Sequence, residues 1–477
     1  MPRFSTIFGL SNSQANLDFV DVELSTDTPL YVDPYAIQIR HDEWSGKCGD
    51  HIRSYFSQLL DVLRKGDDAR ATHLLSHLHE PNETFLGVSS GAPSGRGVGD
   101  YKATMLADAL VRSKAFKTGL LTDISEAELF IHGVGRDTIS DLTTNIIRGL
   151  LAEYTYEQCQ LHGIATRAVQ FIGPAWNVNT GDWESTAYQL PVHNRRPVLL
   201  VPKFSVRHQL SLDSQEFWNY HMIEFLRQEY LHAGGALVRT FKSGERYVTK
   251  KSVKARHPFI KDDLADFVRD HPRVLATYKT LKGAEGPLET DDFDLTFDEH
   301  AFAAALRNEI RNIPEGNEAA SRYHSFALGV CTFLFYPALI CPIKEQELHQ
   351  GRKRVDIKFT NSAEGGFFSA MMKSPQTRAL SILIECKNYE KQINNPELDQ
   401  LSGRFGHQRG FFGMLLCRRM DDRRRIVERC RDAANDGRGF MLVLEDRDLA
   451  ELLQLVERGR RQDIDGFLQR RFDEIIH

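Results

Sequence analysis

Hydrophobic and polar positions fall into an ordered series in the last third of the chain. Over 317–335 the apolar residues Tyr323, Phe326, Ala327, Val330 and Leu334 recur at helical spacing, which predicts a helix with one buried face. Residues 338–345 read as a strand, His349-Gln350-Gly351 as a hairpin turn, and 353–359 and 380–387 as two more strands. A helix over 396–405, a strand over 411–417, a helix over 421–435, a strand over 439–444 and a helix from 446 complete the series. This order predicts a mixed sheet flanked by helices, and an α/β fold class for the domain at 299–477.

The pattern before residue 299 is less regular. Residues 1–235 read as one larger α/β (α+β) region. Its strand-like pieces are Phe19–Leu24 and Val198–Val206; its helix-like pieces are 50–65, 69–79, 101–115, 138–153 and 214–232. The segment Gly87–Gly99 (GVSSGAPSGRGVG) predicts a turn or flexible loop, and it lacks the Gly-Lys-Ser/Thr ending of a P-loop. Residues 236–298 read as a helical connector. It opens on a basic stretch, Lys242 to Arg256, and closes on an acidic loop with Glu289, Asp291, Asp292 and Asp294.

Composition narrows the picture in three places. A length of 477 residues suggests two or three domains. The net charge of −5 excludes a uniformly basic nucleic-acid binder, but residues 301–477 carry 28 Lys+Arg against 25 Asp+Glu, and the remainder 32 against 40. Any nucleic-acid surface is therefore expected to be local and salt-sensitive. The seven cysteines are scattered, with no CxxC pair, which predicts reduced thiols and a cytoplasmic protein. The opening MPRFSTIFGLSNSQ lacks the basic-then-apolar layout of a signal peptide. The uncharged stretch from Phe326 to Ile343 is broken by Gly329, Thr332, Tyr336, Pro337 and Pro342, so it reads as a buried helix end and a buried strand, with no membrane span. Two histidine groups, His73/His77/His79 and His41/Cys48/His51, are incomplete as zinc sites.

The segments RVDIKF (354–359) and ILIECKNY (382–389) carry the chemistry. Alternate strand residues face opposite sides, so Asp356 lies opposite Val355, Ile357 and Phe359, and Glu385 and Lys387 share a face opposite Ile382, Ile384 and Cys386. An exposed salt-bridged sheet face would use the same residue types. Here, however, Glu and Lys follow directly on a buried apolar run, where charge is costly. Two neighbouring carboxylates repel unless a cation lies between them. Oxygen ligands with open water positions favour Mg2+, with Mn2+ as a possible substitute. The carbonyl of Cys386 offers a further ligand. Lys387 is placed to orient or deprotonate an attacking water, or to steady a phosphate.

Asp356 followed by Glu385-Cys386-Lys387 resembles the signature of the PD-(D/E)xK, or restriction-endonuclease-like, nuclease superfamily. The segment 394–419 (NNPELDQLSGRFGHQRGFFGMLLCRR) is similar to the helix and strand that follow that signature in bacterial restriction-like nucleases. The resemblance spans about residues 300–460. It implies Asp356, Glu385 and Lys387 as the catalytic trio, and an acidic residue on the preceding helix in the metal site, a position filled here by Glu318. One departure is the gap of 28 residues between Asp356 and Glu385, whose insert 360–379 reads as a loop able to reach over substrate. Gln400, Arg404 and Arg409 are candidate nucleic-acid contacts beside the site, with Arg418 and Arg419 also flanking it; for each of the four arginines solvated loop or helix charge is the simpler reading.

These readings lead to one principal expectation and two rivals. The first is a metal-dependent endonuclease acting on DNA rather than RNA. Family analogy suggests a role in bacterial anti-phage defence or restriction, with residues 1–235 recognising substrate or restraining the nuclease. Cutting both strands needs two sites, so a homodimer or larger assembly is expected, with a regulatory partner protein also possible. The rivals are an inactive nuclease-fold protein that binds or scaffolds nucleic acid, and a nuclease of DNA repair or junction processing.

Overall fold

A computed structural model describes residues 2–77, 79–87, 100–344 and 356–477. The chain is mixed α/β. In its last third lies a five-stranded mixed sheet, β1 Leu339–Ile343, β2 Ile357–Asn361, β3 Ser381–Lys387, β4 Phe412–Cys417 and β5 Phe440–Glu445. The strands lie side by side in sequence order. β1–β2 and β2–β3 are antiparallel; β3–β4 and β4–β5 are parallel. The helices are α1 Ala320–Phe335, α2 Gly366–Lys373, α3 Asn395–Ser402, α4 Arg423–Asn435, α5 Asp446–Glu457 and α6 Ile464–Ile476. Parallel strands need crossovers, and α3 and α4 supply them. The central strands are buried on both faces, which is why β4 (FGMLLC) reads as one apolar run.

Local chemistry fixes these boundaries. Asn394 and Glu397 form a reciprocal capping box at the start of α3, with Pro396 in its first turn. Glu445 and Asp448 do the same for α5. Gly410 turns the chain into β4 at φ +100°, and a Cβ there would lie 2.5 Å from the Arg378 carbonyl oxygen. The insert between β2 and β3 departs from the predicted loop. It contains α2, whose Phe367, Phe368 and Met371 are buried in the core. The run FFSAMM has enough apolar surface to dock as a helix, and Asp465 of α6 caps it by accepting the Phe367 N–H at 3.0 Å.

The amino-terminal part is built mainly from helices, and its strands are two or three residues long in separate two-stranded pairs. The predicted strands Phe19–Leu24 and Val198–Val206 form isolated bridges and one short pairing (Phe19 with Pro202, Arg3 with Glu23, Val206 with Val32) instead of a sheet. Side chains take the backbone groups that neighbouring strands would otherwise satisfy. Gln14 accepts the Asp21 N–H at 2.7 Å, the Thr155 hydroxyl accepts the Leu200 N–H at 2.8 Å, and Pro202 has no N–H to donate.

Two large apolar cores result. One gathers residues from Phe4 to Tyr278 and also takes in Ile340 and Cys341 of β1; the other runs mainly from Ala303 to Ile475. Residues of the connector touch both: Leu264, Val268 and Tyr278 lie in the first, and Phe297 packs against the second. A polar clamp holds the halves together. Asp18 accepts the Cys341 N–H at 3.1 and 3.2 Å and the Tyr154 hydroxyl at 2.7 Å, and Gln158 donates to the Pro342 carbonyl at 2.9 Å. Cys341 takes a left-handed φ of 46° where the β1–β2 register shifts, which turns its N–H toward Asp18. The predicted hairpin turn at 349–351 and most of Gly87–Gly99 lie outside the described residues. Among the described residues, no helix is long and apolar enough to cross a membrane.

Candidate functional site

The site forms where β2 and β3 begin to separate. Ile357 pairs with Ile384, so one further step of the antiparallel register sets Asp356 opposite Glu385. Asp356 is held there by the main chain: its Oδ2 accepts the Cys386 N–H at 2.7 Å. On β3, Ile382, Ile384 and Cys386 are buried on one face, and burial pushes the Cys386 thiol well above its usual pKa, so it acts as a small apolar group. The opposite face carries Glu385 and Lys387.

Glu385 is fully buried, yet both of its oxygens are engaged. The Lys387 ammonium donates to Oε2 at 3.1 Å, and the Arg404 guanidinium pairs with Oε1. Lys387 also donates to the Gln400 side-chain oxygen at 3.1 Å. Gln400 thus faces the site from α3, and Arg404 reaches it from the residues just after that helix. A buried carboxylate between two cations is the arrangement that offsets its desolvation. Arg404 is itself 3% exposed and is turned inward to Glu385. Arg409 is partly exposed and donates to the Arg404 carbonyl at 3.4 Å.

Helix α1 contributes a residue the sequence did not single out. His324 lies over the strand ends, with Nε2 at 3.1 Å from the Cys386 carbonyl and Nδ1 at 3.8 Å from Asp356 Oδ1. Glu318, expected to join the site from this helix, lies in the exposed 3-10 turn Asn317–Ala319, and among the described residues no hydrogen bond or ion pair links it to the trio. No local signal in the sequence marks His324, which stands beside the buried Tyr323 with its side chain 36% exposed.

Arg418 has a structural role. It is 9% exposed, donates to the carbonyls of Ile313, Pro314 and Ile310 and to the Asn388 side chain, and pairs with Asp446 at 2.7 Å. Burial raises Asp446 to a pKa of about 6 even so. An open depression of about 480 Å³ begins at Asn388, next to Lys387, and is bordered by Asn317, Tyr389 and Pro396.

Asp356, Glu385 and the Cys386 carbonyl bring oxygen atoms to one end of the strands, with both Glu385 oxygens already facing Lys387 and Arg404. These are hard oxygens, the type magnesium and manganese take. Among the described residues no three His, Cys, Asp or Glu side chains gather as a metal-ligating group.

Comparison with known proteins touches only the other half of the molecule. Residues 9–213 match the model of a family described as Domain of unknown function (DUF8370). No curated protein and no solved structure matches the chain.

Proposed function

We propose that residues 299–477 form a metal-dependent phosphodiesterase of the PD-(D/E)xK type that cuts DNA, with Asp356, Glu385 and Lys387 as its working groups. The observation that carries the reading is the main-chain lock on Asp356, which fixes one carboxylate beside the strand that bears Glu385 and Lys387. Asp356, Glu385 and the Cys386 carbonyl are the groups that would hold the ion. Magnesium bound there supplies Lewis acidity toward a phosphate oxygen and acidifies water.

The protein's own groups do the rest. Lys387, fixed by Glu385 and Gln400, presents an ammonium to a phosphate or to the incoming water. His324 orients the Cys386 carbonyl and stands beside Asp356 in the position where Glu318 was expected. Cleavage of both strands of a duplex calls for two such sites, so the reading includes a homodimer or larger assembly. The amino-terminal half then recognises substrate or restrains the nuclease, in keeping with a defence or restriction role.

The test is nicking and linearisation of supercoiled plasmid with magnesium, by the wild type and by Asp356→Ala, Glu385→Ala and Lys387→Ala. The reading expects each variant to lose cutting; equal cutting by all four proteins ends it. The Arg404–Glu385 pair favours one second reading, an inactive nuclease-fold protein that binds nucleic acid, because a guanidinium already neutralises Glu385. That reading expects DNA binding by all four proteins and cutting by none.

A further inference from the structure

The basic stretch after residue 238 folds into a defined surface outside the candidate site. Strands Arg239–Thr240 and Arg246–Tyr247 pair as a short antiparallel ribbon, and the helix Lys250–Arg256 follows directly. The unit rests on a small apolar core of its own, with Ile223, Val248 and Val253 buried and Trp218, Leu226 and Tyr230 packed against them. Its outer side is strongly cationic. Residues 239–256 contain seven Lys and Arg and one acidic residue, Glu245, in a chain whose net charge is −5. Among the described residues, only Lys250 of the seven has a carboxylate partner, Glu224 at 3.3 Å. Arg239, Lys242, Arg246, Lys251 and Arg256 are exposed.

Aromatic rings are set among these charges. Phe241, 50% exposed, stacks on Tyr247 with ring centroids 3.9 Å apart. Tyr220, 65% exposed, stands 5.8 Å from the Lys250 ammonium. Leaving rings this open costs hydration free energy in an unbound chain. Uncompensated cations spaced along a ribbon and helix match the regular charge of a phosphodiester backbone, and exposed flat rings match the faces of bases.

We propose that this ribbon-and-helix surface is a nucleic-acid docking site, in which the cations hold the phosphates and Phe241 with Tyr247 stacks on unpaired bases. The inference rests on the proposed function only in taking nucleic acid as the ligand; it requires no cleavage.

The test is binding of fluorescein-labelled single-stranded and duplex DNA by the full chain in EDTA, on an Asp356→Ala background, followed by anisotropy. Reversing four exposed charges together, Arg239→Glu, Lys242→Glu, Arg246→Glu and Lys251→Glu, is expected to weaken binding by about a hundredfold and to flatten the salt dependence by about three to four contacts. Phe241→Ala, with all charges retained, is expected to weaken the single-stranded probe by about tenfold and to leave the duplex nearly unchanged. An unchanged dissociation constant and salt slope in the four-charge variant, with its thermal melt intact, overturns the proposal. So does retained DNA binding alongside lost binding to phosphatidylserine vesicles. Equal loss on both probes with Phe241→Ala overturns the stacking role. A chain that cuts nothing but loses DNA affinity in the four-charge variant keeps this surface and removes the catalytic reading instead.

Discussion

Two aspartates in this molecule do the same thing to the same sheet. Asp18 accepts the N–H of Cys341 on β1, and Asp356 accepts the N–H of Cys386 on β3. Their surroundings differ. Asp18 is 1% exposed and closed in by the Tyr154 hydroxyl and the buried Lys203; burial raises its pKa and pulls the Lys203 amine down to about 8. The Asp356 side chain keeps 19% of its surface open, and His324 Nδ1 lies 3.8 Å from its Oδ1. A carboxylate whose oxygens are all taken by protein donors is a fastening. One pinned by a single main-chain N–H, with part of its surface still open, is the one we propose for chemistry.

Removing each aspartate in turn is expected to give opposite outcomes. Asp356→Ala is expected to cut plasmid cleavage by about a thousandfold with little change in unfolding free energy. Asp18→Ala is expected to do the reverse, losing about 3–5 kcal/mol because Lys203 is left buried without its counter-charge. Cleavage assays and urea melts on both variants check this, and a large stability loss in Asp356→Ala would erase the distinction.

A smaller effect sharpens the open side. His324→Ala is expected to weaken the magnesium-induced rise in melting temperature by about tenfold in apparent affinity, as loss of an orienting partner does. Glu318→Ala should leave that titration unchanged. The closed side has a pH signature. His162, whose ring lies edge-on to Phe19 beside Asp18, is lowered to a pKa of about 4 by burial. The unfolded chain then binds more protons between pH 6.5 and 4, so the contribution is present above pH 6.5 and is lost as pH falls through that window. Melts of wild type and His162→Gln should converge toward pH 4, with a wild-type loss of about 1–2 kcal/mol by pH 5. Tyr154→Phe gives the smallest change, about 1 kcal/mol for one hydrogen bond to Asp18.

The two aspartates also mark how far the sequence could be read. Asp356, Glu385 and Lys387 were visible because charge follows an apolar strand run, a local signal. The succession of the five strands along the chain was visible from period-two and apolar runs bounded by turns, whereas their side-by-side order was not. His324 was not, since its partners are a carbonyl and a carboxylate on strands that meet it only after α1 has docked. The inward turn of Arg404 was hidden likewise: an arginine near a phosphate-handling signature reads as a substrate contact until its distance to Glu385 is known. The helix α2 was missed because FFSAMM is short and follows a glycine pair. The amino-terminal strands failed because FVDVEL alternates correctly while Gln14 and Asp21 satisfy the backbone locally. Asp18 gave no signal, as its Cys341 partner is 323 positions away.

The clamp on β1 has a practical consequence for anyone dividing the molecule. β1 is the outermost strand of its sheet, and the groups that seal its free side, Asp18 and Gln158, come from the amino-terminal half. A fragment beginning near residue 299 would carry that strand bare, with unpaired amides and the apolar side chains of Ile340 and Cys341 facing water. Such a rim invites edge-to-edge addition of further copies, so the excised fragment is expected to aggregate on expression, and co-expressing residues 2–298 in trans is expected to restore it to solution.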